Sequence, residues 1–514
     1  MSEKIVLVID FGSQYTQLIA RRVREHNVYS EILPHSISVH EIKKKNIAAI
    51  ILSGGPSSVY DENSVVFDEQ ILNLDVPILG ICYGLHLMIY HSGGLVIHKN
   101  QGEYGQSKIN QENNCILLND LSSNSEVWMS HGDEIENLGN YYNCIARSTN
   151  NVIAAVEHKE RPLYGVQFHP EVIHTIQGHI IISNFLFKIS NCKPNWTAEN
   201  FILSAINKIR KEVGSNGKVI TGLSGGVDSS VVATLLHKAI GKRSSCVFID
   251  HGLLREGEVD EVMGSLKDGL GLNIYKYNYT KEFLSSLSGI IDPEQKRKII
   301  GTQFIRSFEI AAENHGDVTF LAQGTLYPDI IESGGSASGP SVTIKSHHNV
   351  GGIPKDMNFK LIEPIKMLFK DEVRQVGKEL GLPNFIIDRH PFPGPGLAVR
   401  ILGPVNQKYI NILREADKIF IDILHDTNEY ENIWQAFAVL IPIKTVGVMG
   451  DSRTYENLIA LRAVTSVDGM TADSYKISHD ILDRCSSEII NNVKGVNRVV
   501  YDITSKPPGT IEWE

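Results

Sequence analysis

The sequence predicts an α/β protein: two doubly wound parallel-sheet domains followed by a smaller α+β domain at the C-terminus. Three observations predict it. Short, continuous apolar runs alternate with stretches of helical spacing, the pattern left by strands that are buried on both faces of a parallel sheet. Several of these runs end in glycine turns, and regular alternation of strand and helix marks doubly wound units. The chain has 514 residues, 42% of them hydrophobic, enough for about three domains of roughly 100–200 residues, each burying its own core.

The elements follow in order. Lys4–Ile9 is the first apolar run, and Gln14–Glu25 has helical spacing. Ala48–Leu52 is a second β-type run ending in Ser53-Gly54-Gly55-Pro56, and Val76–Ile81 is a third, with a helix-like stretch from Leu85. Asn191–Asn195 reads as a linker and closes a first domain of residues 1–193. A second domain, residues 194–390, opens with a helical stretch at Thr197–Val213. It continues as strand Lys218–Leu223, helix Asp228–Ala239 and strand Ser245–Asp250. Glu332–Gly352 is rich in Gly, Ser and His and reads as a loop over a site. Arg389–Gly396 carries three prolines and two glycines and marks the start of the last domain, residues 391–514.

Composition narrows the function. The formal net charge is −10, so a broad nucleic-acid surface is not expected, while local loops can still bind small anionic substrates. The six cysteines include no CxxC pair, which argues against a zinc site or a disulfide framework. The N-terminus, Met-Ser-Glu-Lys-Ile-Val, has no signal-peptide pattern. No run of about 18 apolar residues is present. The expectation is a cytoplasmic protein without a membrane span.

A first site is written in Gly80-Ile81-Cys82-Tyr83-Gly84, which follows a strand and precedes a helix. Glycines two residues either side of a nucleophile suit a sharp strand-to-helix elbow, and a helix N-terminus favours a thiolate. Gly165–Glu171 reads Gly-Val-Gln-Phe-His-Pro-Glu, placing a base, His169, and an orienting carboxylate, Glu171, one proline apart. The Gly54-Gly55 turn can offer backbone N–H groups to an oxyanion.

Together these motifs resemble the class I (triad) glutamine amidotransferase family over about residues 1–190. The resemblance implies Cys82 as nucleophile, His169 as base, Glu171 as orienter, and an oxyanion hole from Gly54 and the N–H of Tyr83. Ser130-His131-Gly132-Asp133 is similar to the family's loop near the glutamine site. One position departs: the family usually has Gln where this sequence has His86, and that Gln helps hold glutamine.

A second site is Ser224-Gly225-Gly226-Val227-Asp228-Ser229-Ser230, between an apolar strand and a helix. Glycines let the backbone approach an anion, and the serine hydroxyls and first helical N–H groups can bind phosphate. Asp228 can hold Mg²⁺. The GxxxxGK[ST] pattern is absent, so this is not a Walker loop. The stretch resembles the ATP-pyrophosphatase (N-type) family, which cleaves ATP between the α and β phosphates and leaves AMP on a substrate oxygen. Asp250-His251, at the end of the next strand, would lie near the adenine or ribose.

The two modules imply an amination driven by AMP release. Asp292–Gly301, Gln323–Asp329, Ile344–Gly352, Arg389–Leu397 and Lys506–Glu514 resemble signature segments of the GMP synthetase family, so the resemblance spans the chain. It implies glutamine, ATP and xanthosine monophosphate (XMP) as substrates, with Mg²⁺. It implies Arg297, Gln435, Lys506 and Glu512 as XMP-binding residues, Lys345 as a lid lysine, and a homodimer through the last domain. A glutamine-dependent NAD synthetase would carry a nitrilase-type Glu-Lys-Cys site, against which the His-Pro-Glu motif argues. A catalytically silent nucleotide-binding scaffold is the other class of reading, and intact Cys82, His169, Glu171 and Asp228 argue against it.

Overall fold

The computed structural model describes residues 4–61, 65–334, 359–449, 452–466, 469 and 471–514. It divides into two compact units, Met1–Asn200 and Phe201–Glu514.

The first unit is a nine-stranded sheet. Its strands are β1 (Ile5–Asp10), β2 (Ser30–Pro34), β3 (Ile47–Leu52), β4 (Ile78–Ile81), β5 (Leu95–Gln111), β6 (Ser125–Asn137), β7 (Tyr142–Ser148), β8 (Ile153–His158) and β9 (Leu163–Val166). They lie in the order β2-β1-β3-β4-β9-β8-β7-β5-β6. The first five pair in parallel. The predicted runs are almost wholly buried at Val6–Ile9, Ala49–Leu52 and Ile78–Ile81, whereas the edge strand β2, Ser-Glu-Ile-Leu-Pro, is polar at its start and only partly buried. The other four pair antiparallel and extend a sheet expected to be parallel. Along β6 buried and partly exposed positions alternate over most of its length, the mark of a strand with one wet face. Leu7, Ile9, Ile50 and Leu52 pack in one core with Leu85, Met88 and Ile89 of the helix Tyr83–His91. That helix starts two residues before the predicted Leu85.

In the second unit, β10 (Val219–Leu223), β11 (Ser244–Asp250), β12 (Ile274–Asn278), β13 (Phe320–Ala322) and β14 (Lys360–Ile362) form an all-parallel sheet ordered β12-β11-β10-β13-β14. A second sheet pairs β15 (Gln435–Met449) with β16 (Ser452–Thr465). β16 in turn pairs with β17 (Asp473–Ser474) and, in parallel, with β18 (Val496–Tyr501). The helices Gln407–Asp426 and His479–Asn492 contribute Phe420 and Ile489 to a core that runs from Ile220 and Val247 under the parallel sheet to Leu440 and Ile459 of the second. The Asp-Pro-Glu signature starts a helix: Asp292 accepts from the N–H of Gln295 at 2.8 Å, and Pro293 takes the first turn of Pro293–Glu313, where its missing N–H costs nothing. Of the predicted loop Glu332–Gly352, residues 335–352 lie outside the described residues.

Candidate functional site

The nucleophile elbow is built by close packing. Cys82 sits at the end of β4, where its N–H donates to Val166 O of β9 at 2.8 Å. It caps the helix Tyr83–His91 with φ 50° and ψ −104°, a backbone that L-residues avoid at a cost of about 1–3 kcal/mol. The flanking glycines permit it. A Cβ on Gly84 would stand 2.5 Å from Leu52 O, and one on Gly80 would stand 2.7 Å from Leu85 N. Tyr83, as the first helical residue, has no intrahelical acceptor for its N–H. Gly84 N–H donates to Ser53 O at 3.1 Å, tying the predicted oxyanion loop to the elbow. A Cβ on Gly54 would lie 3.2 Å from His169 Cε1, so this glycine abuts the imidazole.

His169 follows β9. Its N–H donates to Trp128 O at 3.0 Å and its carbonyl accepts from Thr175 Oγ1 at 2.6 Å. Nδ1 lies 2.8 Å from Oε1 of Glu171, which is fully buried. Burial pushes the imidazole pKa down. The Glu171 charge and hydrogen bonds to Cys82 and Glu171 outweigh it and raise the value to about 10. The buried carboxylate thus favours the protonated imidazole. Ser130–Asp133, expected as a loop, lies instead within β6 and reaches the same point, since Ser130 O lies 3.8 Å from Cys82 Sγ. One neighbour was not assigned from the sequence, although it lies inside the quoted motif: the amide nitrogen of Gln167 is 3.7 Å from Cys82 Sγ.

In the second unit the loop predicted for phosphate runs from β10 into the helix Val227–Ile240. Gly225 has φ 78°, and Gly226 caps the helix without a side-chain hydrogen bond, so the first-turn N–H groups stay available to an anion. Ser224 and Ser229 face each other, Oγ to Oγ 3.0 Å, and Ser230 Oγ donates to Gly226 O at 2.9 Å. The loop borders a cavity of about 510 Å³ lined also by Phe248, His251, Gln323, Lys370 and Arg389. His251 is buried, which pushes its pKa down to about 4 and keeps it neutral. Both oxygens of Asp228 take the Lys370 ammonium, at 2.8 and 2.6 Å. The lysine ammonium thus satisfies both oxygens of the carboxylate expected to hold Mg²⁺. Among the described residues no cluster of three or more His, Cys, Asp or Glu could hold a metal.

The predicted XMP residues are partly joined. Gln435 Nε2 donates to Glu512 Oε1 at 2.7 Å and to Pro391 O at 3.1 Å. Arg400, wholly buried, holds Glu512 through both oxygens at 2.8 and 3.1 Å. Arg297 instead donates to Glu514 O at 2.5 Å, and Lys506 donates to Gly469 O at 2.8 Å. Lys296, one residue before Arg297 and fully buried, pairs with Glu514 at 2.5 Å. Sequence reasoning missed Arg400, Lys296 and Lys370, whose partners lie far along the chain. Lys345 lies outside the described residues.

Three family models match successive parts of the chain. Residues 7–189 match the model "Glutamine amidotransferase class-I", residues 199–298 match "NAD synthase", and residues 402–513 match "GMP synthase C terminal domain". A GMP synthase [glutamine-hydrolyzing] of Caldicellulosiruptor saccharolyticus is 55% identical, covering 100% of both chains. Those of Carboxydothermus hydrogenoformans and Staphylococcus epidermidis are 54% and 52% identical, covering 99% and 100% of this chain and 99% of each of theirs. A solved structure from Thermoplasma acidophilum, of a putative GMP synthase subunit, is 32% identical with a TM-score of 0.33, covering 36% of this chain and 93% of its own.

Proposed function

The chain belongs to the family of glutamine-hydrolysing GMP synthases, and from that premise we propose how its residues divide the work. It catalyses glutamine-dependent synthesis of GMP with ATP as co-substrate. The observation that best supports the assignment is the buried His169–Glu171 pair at 2.8 Å beside a cysteine held at φ 50°.

Cys82 gives its proton to His169 and attacks the side-chain amide of glutamine. The oxyanion rests on N–H groups at Tyr83 and Gly54. His169 returns the proton to the departing ammonia, and water hydrolyses the thioester to glutamate. In the second unit the xanthine O2 of XMP attacks the α-phosphorus of ATP and pyrophosphate leaves. Ser224–Ser230 bind the phosphates. Asp228 would hold Mg²⁺, which supplies charge neutralisation on the pyrophosphate. Ammonia then displaces AMP at C2 to give GMP. Gln435 and Glu512 read the base or ribose of XMP, Arg297 and Lys506 serve its phosphate, and Lys345 serves as the lid lysine.

The domains are proposed as residues 1–193, 194–390 and 391–514. A homodimer through the last of these is supported by exposed Ile443, Val446, Val448 and Tyr455 on the β15–β16 hairpin, an apolar face of the kind that marks an interface. A cytoplasmic location is proposed alongside. Among the described residues no helix is long and apolar enough to cross a membrane.

The test is an assay with XMP, ATP and Mg²⁺, supplied with glutamine or ammonium, using wild type and Cys82→Ala. Wild type is expected to use both nitrogen sources and the variant only ammonium. AMP without GMP from either source would overturn the substrate assignment.

A further inference from the structure

The departure at position 86 has a structural partner. His86 lies on the elbow helix, 3% exposed, and its Nε2 is 2.7 Å from Oε1 of Gln167. The other end of that amide, Nε2, is 3.7 Å from Sγ of Cys82. Gln167 is itself fully buried and pinned by its own N–H to Ala154 O at 2.8 Å. The three side chains form a short line from the helix interior to the nucleophile.

An amide can present either end, and chemistry chooses here. A thiolate accepts hydrogen bonds and repels a carbonyl oxygen, so the NH₂ belongs on the sulfur side. The amide oxygen then faces His86, which must carry its proton on Nε2. Burial holds the His86 pKa down at about 4, leaving one N–H, and this contact fixes where it sits. We propose that His86 is a positioning residue for the nucleophile: its Nε2–H donates to Gln167 Oε1 and so turns the Gln167 amide NH₂ onto Cys82 Sγ. This rests on Cys82 being the nucleophile, as assigned above.

The contact differs from holding glutamine, the role implied for the Gln usual at this position. His86 spends its one N–H on Gln167, and its effect is on the thiolate. The other titratable groups nearby are His131 and Asp133 of β6, which face His86, and Glu103 of β5, 3.6 Å from His131 Nε2. Cys82 itself faces His169, which Glu171 backs.

The experiment uses the full chain. Alkylation of Cys82 by iodoacetamide is followed against pH by peptide mass spectrometry, in wild type, His86→Ala, His86→Gln, Gln167→Met and the His86→Ala/Gln167→Met double variant. Glutamine- and ammonium-dependent GMP formation are measured beside it. His86→Ala and Gln167→Met are each expected to raise the alkylation midpoint by about one pH unit, a tenfold loss of thiolate. Each should lower glutamine-dependent kcat about tenfold with the ammonium rate unchanged. The double variant should go no further than either single, since the two residues act in series. His86→Gln, which again offers an N–H to the amide oxygen, should restore the wild-type midpoint. An unmoved midpoint in His86→Ala, additive losses in the double variant, or a change confined to the KM for glutamine overturns the proposal. If His86→Ala loses ammonium activity too, Gln167→Met and His86→Gln decide alone. Glutamine use surviving in Cys82→Ala would instead overturn the nucleophile assignment.

Discussion

Nδ1 of His169 lies 2.8 Å from Oε1 of Glu171, with Pro170 the one residue between them. The carboxylate is fully buried, so its charge acts on the imidazole with little solvent screening. Glu171→Gln keeps the shape and removes the charge. Glutamine-dependent GMP formation is expected to fall by about 10²-fold or more, with the ammonium-dependent rate unchanged. Steady-state rates with the two nitrogen sources check this.

The same pair makes stability depend on pH. The His169 pKa is raised from 6.5 to about 10. A group raised in the folded state contributes stability that is fully present below its unfolded value and is lost as pH rises through the folded one. Wild type should therefore lose more thermal stability between pH 7 and pH 10 than Glu171→Gln does, as read from melting curves taken across that range.

Gly84→Ala tests the elbow. The added Cβ would stand 2.5 Å from Leu52 O, a backbone atom that cannot swing aside. A loss of about 1–3 kcal/mol in stability is expected, together with loss of glutamine use, measurable by denaturant unfolding and by the glutamine assay.

Asp228→Asn removes the carboxylate that takes Lys370 through both oxygens. AMP release is expected to fall by about 10²-fold or more, and ammonium should not rescue it. Retention of Mg²⁺-dependent AMP formation would contradict the role given to Asp228.

Glu512→Gln leaves the buried Arg400 guanidinium without its counter-charge. A cost of about 3 kcal/mol is expected, as for a broken buried pair, with a raised KM for XMP and unchanged glutaminase chemistry. Denaturant unfolding and XMP titration separate the two effects.

The central parallel strands β1, β3, β4, β10 and β11 were legible because burial on both faces makes them largely apolar, as in Ala49–Leu52, whereas β2, β12 and β14 lie at sheet edges and β13 is only three residues long. β5 to β7 carry no such run, since exposed positions interrupt them and the pairing is broken by bulges, as between His98 and Glu103, and β8 carries one at Ile153–Val156 that pairs antiparallel all the same. Cys82, His169 and Glu171 were legible because each lies in a short motif whose chemistry is local. Lys370 and Arg400 were not, because their meaning comes from partners 142 and 112 residues away. His86 was visible as a departure, but its partner across 81 residues was not.

β4 and β9 are neighbours in the sheet, with Ile81 opposite Val166, yet all four antiparallel strands lie between them in the chain. A ribosome thus releases Cys82 well before His169 and Glu171. The nascent elbow carries an unassisted cysteine until β9 slides in beside β4. The elbow and the His169–Glu171 pair can therefore meet only after β9 has been made and has paired with β4.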